Sequence, residues 1–429
     1  MHKDIFQSPE YVRSRKAYMA QCVFEYLVSI TVADAFLARL LTSIGISDAM
    51  IGIISSLISF SFLFQLLTLL LMSHLKNTKK TVIIFDTVSQ LFFMSIFLVP
   101  LFPFGVEVKT GIVIICILVA YLLKYLISTI CFKWANSYVS PWKRGEYSAV
   151  KEMVSLVSGI IFTLLAGYLL DYFDNKGKLE AGFFLIAAIM LVINICNFIC
   201  LVLIKNEAVL RNEKNRQSVK MVLQNTLGNR KFVNVVIMSC LWQSAQYMTY
   251  GFLGTFKTTD LLLGVGAVQV INMIGNVGRL FLSRAFGRYS DRTSYAKGFR
   301  MALVLMALAV FVNIFTTRQN WWFVVIFTVL YSIGMAGINQ NSFNISYNYV
   351  SRDYVVQAMA IKNSISGVVG FLASLTGGGI LAYIQKNGNS LFGITMYGQQ
   401  FLSAISTVII IITIVFIKKV IEKQERIIQ

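Results

Sequence analysis

The sequence predicts an all-α membrane protein of twelve transmembrane helices in two pseudo-symmetric six-helix bundles. Of its 429 residues, 57% are hydrophobic and only 13% are charged, whereas an average soluble domain is about 25% charged. The apolar residues form long runs, which one soluble core cannot bury and which fit helices surrounded by lipid. The second half of the chain also repeats part of the first, which predicts two related bundles.

Each apolar run is long enough to cross roughly 30 Å of hydrocarbon. The loops between the runs are short, except for a polar and basic segment at 205–231. In chain order, predicted helices 1 to 12 are 18–41, 48–72, 81–102, 110–137, 147–172, 182–204, 232–254, 261–285, 298–316, 321–346, 357–385 and 399–417.

The long polar segment divides the chain into an N-terminal bundle (1–204), an inter-bundle loop (205–231) and a C-terminal bundle (232–429). A shift of 211 positions aligns part of one bundle with the other. Between 138 and 177, 13 of 40 residues are identical to those 211 positions later, including Lys151 with Lys362 and Gly159 with Gly370. Internal repeats of this size are typical of transporters, with the substrate site at the repeat interface.

The net charge of +19 does not indicate nucleic-acid binding, because the basic residues follow membrane topology. Most of the 38 Lys and Arg lie in the segments that alternate to one side of the membrane, the inter-bundle loop among them. This positive-inside pattern predicts cytoplasmic termini and a multi-pass protein of the cell membrane that contacts anionic lipid.

The segment Gly287-Arg288-Tyr289-Ser290-Asp291-Arg292 after predicted helix 8 resembles the signature loop of the major facilitator superfamily, and Lys143-Arg144-Gly145-Glu146-Tyr147 resembles another pattern of that family. The resemblance, with the 6+6 layout, implies a monomeric transporter of small molecules whose helices 1, 4, 7 and 10 line a central cavity. It also implies that Gly287, Asp291, Arg292 and Arg144 form gating loops. The corresponding loop after predicted helix 2 keeps only basic residues, and predicted helix 5 lacks the proline typical of drug/proton antiporters.

Three charged residues within predicted helices 1 and 4 are candidates for substrate or coupling-ion binding: Glu25, Asp34 and Lys124. At about 1.5 Å per residue, Glu25 and Lys124 lie roughly 24 and 21 Å below the outer end, so a pair between them is expected. Asp34 is half a turn out of phase with Glu25 and is expected to face a neighbouring helix or to pair near Arg39. The pair either couples proton movement to substrate or only holds the two helices together.

Amides and a tyrosine recur at helical spacing in predicted helices 7, 8 and 10. Such faces suit hydrogen bonding to a polar solute, and they equally suit contacts between helices. The candidates are Gln243, Gln246 and Tyr250 in helix 7, Asn272 and Asn276 in helix 8, and Asn341 and Asn344 in helix 10.

Three further charges, Arg279, Asp86 and Lys362, lie within two turns of the predicted cytoplasmic helix ends. They are interpreted as snorkelling side chains or gate contacts.

These observations predict a secondary transporter for a small polar organic solute that works by alternating access, with proton coupling as a hypothesis. Drug or lipophilic-compound efflux is the nearest alternative, followed by a non-transporting sensor and a membrane-embedded enzyme. No catalytic cluster, metal-binding spacing or cofactor motif is found in the sequence, so we expect no enzyme activity, no metal and no cofactor.

Overall fold

The structure is a computed structural model, and nearly all of its ordered elements are helices. It describes residues 8–72, 78–139, 144–205, 224, 226–350, 355–391 and 393–426. In the described residues the helices are grouped into twelve, of which α1 and α2 are interrupted, and this architecture confirms the all-α prediction. In the first half of the chain they are α1 (Pro9–Thr31 and Asp34–Ile44), α2 (Asp48–Ser55, Leu57–Ser61 and Gln65–Met72), α3 (Thr78–Ser95), α4 (Val106–Asn136), α5 (Arg144–Asn175) and α6 (Leu179–Leu203). In the second half they are α7 (Arg230–Thr249), α8 (Val265–Arg292), α9 (Tyr295–Asn313), α10 (Phe323–Tyr347), α11 (Val355–Lys386) and α12 (Gly398–Phe416).

Ten of these helices, within the described residues, are long and apolar enough to cross a membrane. The two parts of α1, bent by 43°, make an eleventh span when counted together. The remaining helix, α7, is not in this group. It carries six Asn, Gln, Ser and Thr residues: Asn234, Ser239, Gln243, Ser244, Gln246 and Thr249. A short hairpin of β1 (Ser390–Leu391) and β2 (Ile394–Thr395) precedes α12.

The chain forms two compact units. The first contains Met1–Gly45 and Phe64–Gln217, and the second contains Ile46–Leu63 and Ser218–Gln429. The division between Gln217 and Ser218 falls within the predicted inter-bundle loop. It differs from the predicted domains at the first part of α2, which packs within the second unit.

A seam of small residues explains why the first part of α2 packs against α11. Ser59 Oγ donates a 2.8 Å hydrogen bond to the Gly367 carbonyl, and the hydroxyls of Ser56 and Ser374 lie 2.7 Å apart. A Cβ atom added at Gly367 would lie 2.3 Å from the Ser59 carbonyl oxygen. Only glycine therefore allows the two backbones to approach so closely.

The sequence repeat corresponds to equivalent packing inside each unit. Gly159 of α5 lies under the Tyr26 ring of α1, where an added Cβ would be 2.4 Å from the ring. The matched Gly370 of α11 lies against Tyr247 of α7 and Ser59, at 2.9 and 2.7 Å from an added Cβ. The matched glycines therefore serve close helix contacts in both halves.

Candidate functional site

In the first unit, Glu25 and Lys124 form an ion pair. Lys124 Nζ on α4 lies 3.1 Å from Glu25 Oε1 on α1. Gln21, one turn earlier on the same face of α1, donates its Nε2 hydrogen bond to Glu25 Oε2 at 3.1 Å. The structure thus brings together the two charged residues for which the sequence predicts a similar depth in the membrane. One carboxylate oxygen of Glu25 contacts Lys124 and the other accepts from Gln21.

A second lysine acts on the same carboxylate. Lys151 of α5 lies with its Nζ 5.3 Å from the centroid of the Tyr18 ring, a cation–π distance, and its charge attracts the charge of Glu25. Lys151 is not among the site residues predicted from the sequence, although its match with Lys362 in the repeat is a signal for it.

Asp86 on α3 is buried, with 5% of its surface exposed. Its Oδ2 accepts hydrogen bonds from Asn197 Nδ2 at 2.5 Å and Gln90 Nε2 at 3.1 Å. This corrects the interpretation of Asp86 as a snorkelling residue, because two buried amides on α6 and α3 hold the carboxylate inside the first unit.

Asp34 lies at the bend of α1, where it begins the second segment of that helix with a φ of +47°. It is half-buried. Arg39, the residue near which Asp34 was expected to pair, forms an ion pair with Asp174 at the end of α5. Asp34 and Glu25 therefore lie in different segments of α1.

The second unit contains a cavity of about 210 Å³ between α7, α9, α10, α11 and the first part of α2. Ligand pockets commonly measure about 300–1,000 Å³, so this cavity suits a small solute or one part of it. Polar and aromatic side chains share its lining: Phe62, Ser239, Trp242, Gln243, Gln246, Tyr247, Phe299, Met335, Ile338, Asn339, Ser342, Lys362, Asn363 and Ser366.

Two of the three polar residues expected to share one face of α7 line this cavity, namely Gln243 and Gln246. Tyr250 does not belong to the lining, and Tyr247 takes that place. The α-helix ends at Thr249, and Tyr250 begins a 3₁₀ turn. The backbone N–H of Tyr250 still donates to the Gln246 carbonyl, as in an α-helix, so Tyr250 lies one turn beyond Gln246 and outside the cavity lining.

The cavity-facing residues of α10 also differ from the expected ones. Asn339 and Ser342 line the cavity. Asn341 is fully buried and donates to the Gly337 carbonyl at 2.8 Å, and Asn344 donates to the Gln340 carbonyl at 3.1 Å. The cavity therefore lies against a different face of α10 from the predicted one. The side chains of Asn341 and Asn344 instead donate to carbonyl groups of their own helix.

The two asparagines of α8 are half-buried and do not belong to the lining: Asn272 and Asn276. Like the α10 asparagines, they remain candidates from the sequence alone.

Lys362 of α11 lines the cavity and is 5% exposed. Its Nζ lies 3.3 Å from Ser342 Oγ. This corrects the interpretation of Lys362 as a snorkelling residue, because the ammonium is directed into the second unit.

The segment identified as a gating loop is helical, since α8 continues to Arg292. Asp291 and Arg292 are exposed at its end. An added Cβ at Gly287 would lie 2.7 Å from Gln340 Nε2 of α10, so this glycine serves close packing of α8 on α10. Arg144 begins α5, and its side chain lies outside the described residues.

Within the described part of the chain, no group of three or more His, Cys, Asp or Glu residues could hold a metal ion.

Comparison with solved structures shows the fold. The chain is similar to a mutant form of the nucleoside transporter NupG (11% identity, 95% of this chain and 99% of that chain, TM-score 0.74). It is also similar to a D-xylose–proton symporter (12%, 94% and 96%, 0.70) and to an autoinhibited peptide transporter of the POT family (10%, 94% and 96%, 0.68). No individually curated protein matches the chain.

The sequence model of the Major Facilitator Superfamily matches residues 19–374, which is most of the chain. Together with the twelve helices and the fold of these neighbours, the match shows a multi-pass membrane protein of the transporter class. The chain belongs to the Major Facilitator Superfamily.

Proposed function

We propose that this protein is a secondary active transporter that moves a small polar organic solute across the cell membrane by alternating access, coupled to protons through Glu25. The observation that carries the proposal is the ion pair between Glu25 and Lys124. Charges inside a membrane span are costly, and those that persist commonly serve a transported ion or substrate. Substrate binding that draws Lys124 away leaves Glu25 without its counter-charge, and the carboxylate then takes up a proton.

The cavity of the second unit supports a polar rather than a lipophilic solute. Its lining includes four carboxamides, and the Oε1 atom of Gln243 is buried without a hydrogen-bond partner. A buried acceptor of this kind favours a solute that brings hydroxyl or amine donors. The neighbours named for nucleosides and D-xylose also carry polar solutes, although at such low identity the cavity side chains, not the neighbours, carry the argument.

Alternating access is consistent with the position of α2. Its first part packs in the second unit and the rest packs in the first, and the 3₁₀ turn Phe62–Phe64 lies at the boundary. Bending at this turn, where α2 passes from one unit into the other, is the motion that alternating access would require of α2.

We expect Glu25→Gln to reduce solute-driven proton flux to the level of empty liposomes. The full-length protein is reconstituted with an internal pH dye and exposed to pools of sugars, nucleosides, amino acids and lipophilic cations. Glutamine keeps the size of the side chain and removes its protonation site, so solute exchange at uniform pH should persist.

The matched control is Glu107→Gln, which changes an exposed carboxylate in the first turn of α4 and should leave proton flux unchanged. Solute-driven proton flux that survives in Glu25→Gln would remove the coupling role of Glu25. A response to the lipophilic cations alone would instead support lipophilic-compound efflux.

A further inference from the structure

Among the described residues, the Lys362 ammonium is a buried cation in the cavity of the second unit with no acidic side chain within ion-pair distance. Lys362 has only 5% of its surface exposed, and its Nζ contacts Ser342 Oγ. Within the described residues, no carboxylate lies within ion-pair distance of this Nζ. An uncompensated ammonium at this position in a membrane span is unfavourable.

Snorkelling does not explain this lysine. A snorkelling side chain keeps its stem in apolar surroundings and its charged end in water. Lys362 instead lines the cavity beside Gln243, Gln246 and Asn339. The ammonium therefore lies inside the cavity, among polar side chains that line it.

Comparison with the matched lysine of the first unit, Lys151, shows that the second unit lacks an acidic residue at the position that matches Glu25. Lys151 is the residue 211 positions before Lys362, and it acts electrostatically on Glu25. The same shift places Val236 opposite Glu25 and Met335 opposite Lys124. The lysine is therefore present in both halves, as Lys151 on α5 and Lys362 on α11. The acid with which Lys151 interacts, Glu25, is replaced by Val236 in the second unit.

We propose that the cavity of the second unit binds an anionic group of the transported solute, a carboxylate or a phosphate monoester, with Lys362 as its counter-charge. Ser342, Asn339 and Gln246 supply neutral hydrogen bonds around the anion, and Trp242 and Tyr247 pack against the organic part. The inference rests on the proposed function, because it names the class of solute that the transporter carries.

The test measures binding to the purified full-length protein by thermal shift and calorimetry. The probes are matched neutral and anionic pairs: glucose with gluconate and glucose 6-phosphate, glycerol with glycerol 3-phosphate, and uridine with uridine monophosphate. We expect the anionic member of at least one pair to bind the wild type more tightly than its neutral partner. Lys362→Gln should weaken that binding by at least about tenfold, and Lys362→Arg should retain most of it.

Lys386→Gln is the matched control, since Lys386 is exposed at the end of the same helix, and it should bind like the wild type. Equal binding of the neutral and anionic members, or anion binding unaffected by Lys362→Gln, would overturn the proposal. So would the absence of stabilisation by every anionic probe in protein that shows a cooperative unfolding transition.

An anionic lipid headgroup offers the same chemistry as a soluble anion. The binding measurement is therefore repeated in nanodiscs of phosphatidylcholine with and without phosphatidylglycerol. If phosphatidylglycerol stabilises the protein through Lys362 and no soluble anion does, the proposal that the transported solute carries the anion would be overturned. These binding outcomes are independent of proton flux, so failure of the anion site and failure of Glu25 coupling are distinguishable.

Discussion

Lys124→Met should destabilise the protein by about 2–3 kcal/mol and abolish transport. The substitution leaves the Glu25 carboxylate in a membrane span with one hydrogen bond, from Gln21, and without the ammonium that lies 3.1 Å away in the wild type. Breaking a buried pair by removing one partner costs about 3–5 kcal/mol, and the partial exposure of both side chains reduces this value. Thermal unfolding in one detergent measures the stability, and proteoliposome flux measures the transport.

The double variant Glu25→Gln with Lys124→Met decides whether the pair is structural or functional. It removes both charges, so we expect its stability to return to within about 1 kcal/mol of the wild type. Proton-coupled flux should stay absent. Normal coupled transport by the double variant would show that the pair serves only the packing of α1 on α4. A double variant as unstable as Lys124→Met would show that the unpaired Glu25 carboxylate is not the cause of the destabilisation.

Gly367→Ala should cost at least about 1–3 kcal/mol, because overpacking of a close contact forces backbone shifts. The added Cβ would lie 2.3 Å from the Ser59 carbonyl oxygen, 2.9 Å from Phe62 Cβ and 3.0 Å from the ring of Phe62. A backbone oxygen cannot rotate away as a flexible side chain can. We therefore expect a lower unfolding temperature and loss of the hydrogen bond from Ser59.

Gly379→Ala is the matched control on the same helix, since an added Cβ there meets no atom within 4 Å. It should leave stability unchanged or raise it slightly, because alanine has the higher helix propensity. Equal unfolding temperatures for the two variants would contradict the close approach of α2 and α11.

Much of the fold was accessible from the sequence, because lipid imposes a simple rule on helix length and polarity. The Glu25–Lys124 contact was also accessible, since depth along a straight helix follows from counting residues. The packing of Ile46–Leu63 in the second unit was not, because the sequence shows no partner for the small residues of α2.

Most differences at the candidate site arise because spacing along one helix does not identify the neighbours of a side chain. Tyr250 follows the last α-helical residue of α7 and lies outside the cavity lining that contains Gln243. On α10, the polar residues Asn339, Asn341, Ser342 and Asn344 surround the helix, so spacing alone did not identify the cavity face. Lys362 and Asp86 were placed by distance from the predicted helix ends, which takes no account of neighbouring helices.

The polarity of α7 has a consequence for how the protein enters the membrane. A helix with six Asn, Gln, Ser and Thr residues partitions weakly into lipid by itself. In the finished protein, α12 donates two hydrogen bonds to carbonyl groups of α7: Ser406 donates to the Ala245 carbonyl, and Gln399 Nε2 donates to the Thr249 carbonyl at 3.3 Å. During synthesis α12 emerges more than a hundred residues later. α7 therefore gains these two hydrogen bonds only after the last helix has been made, and a chain that stops before Gln399 lacks both of them.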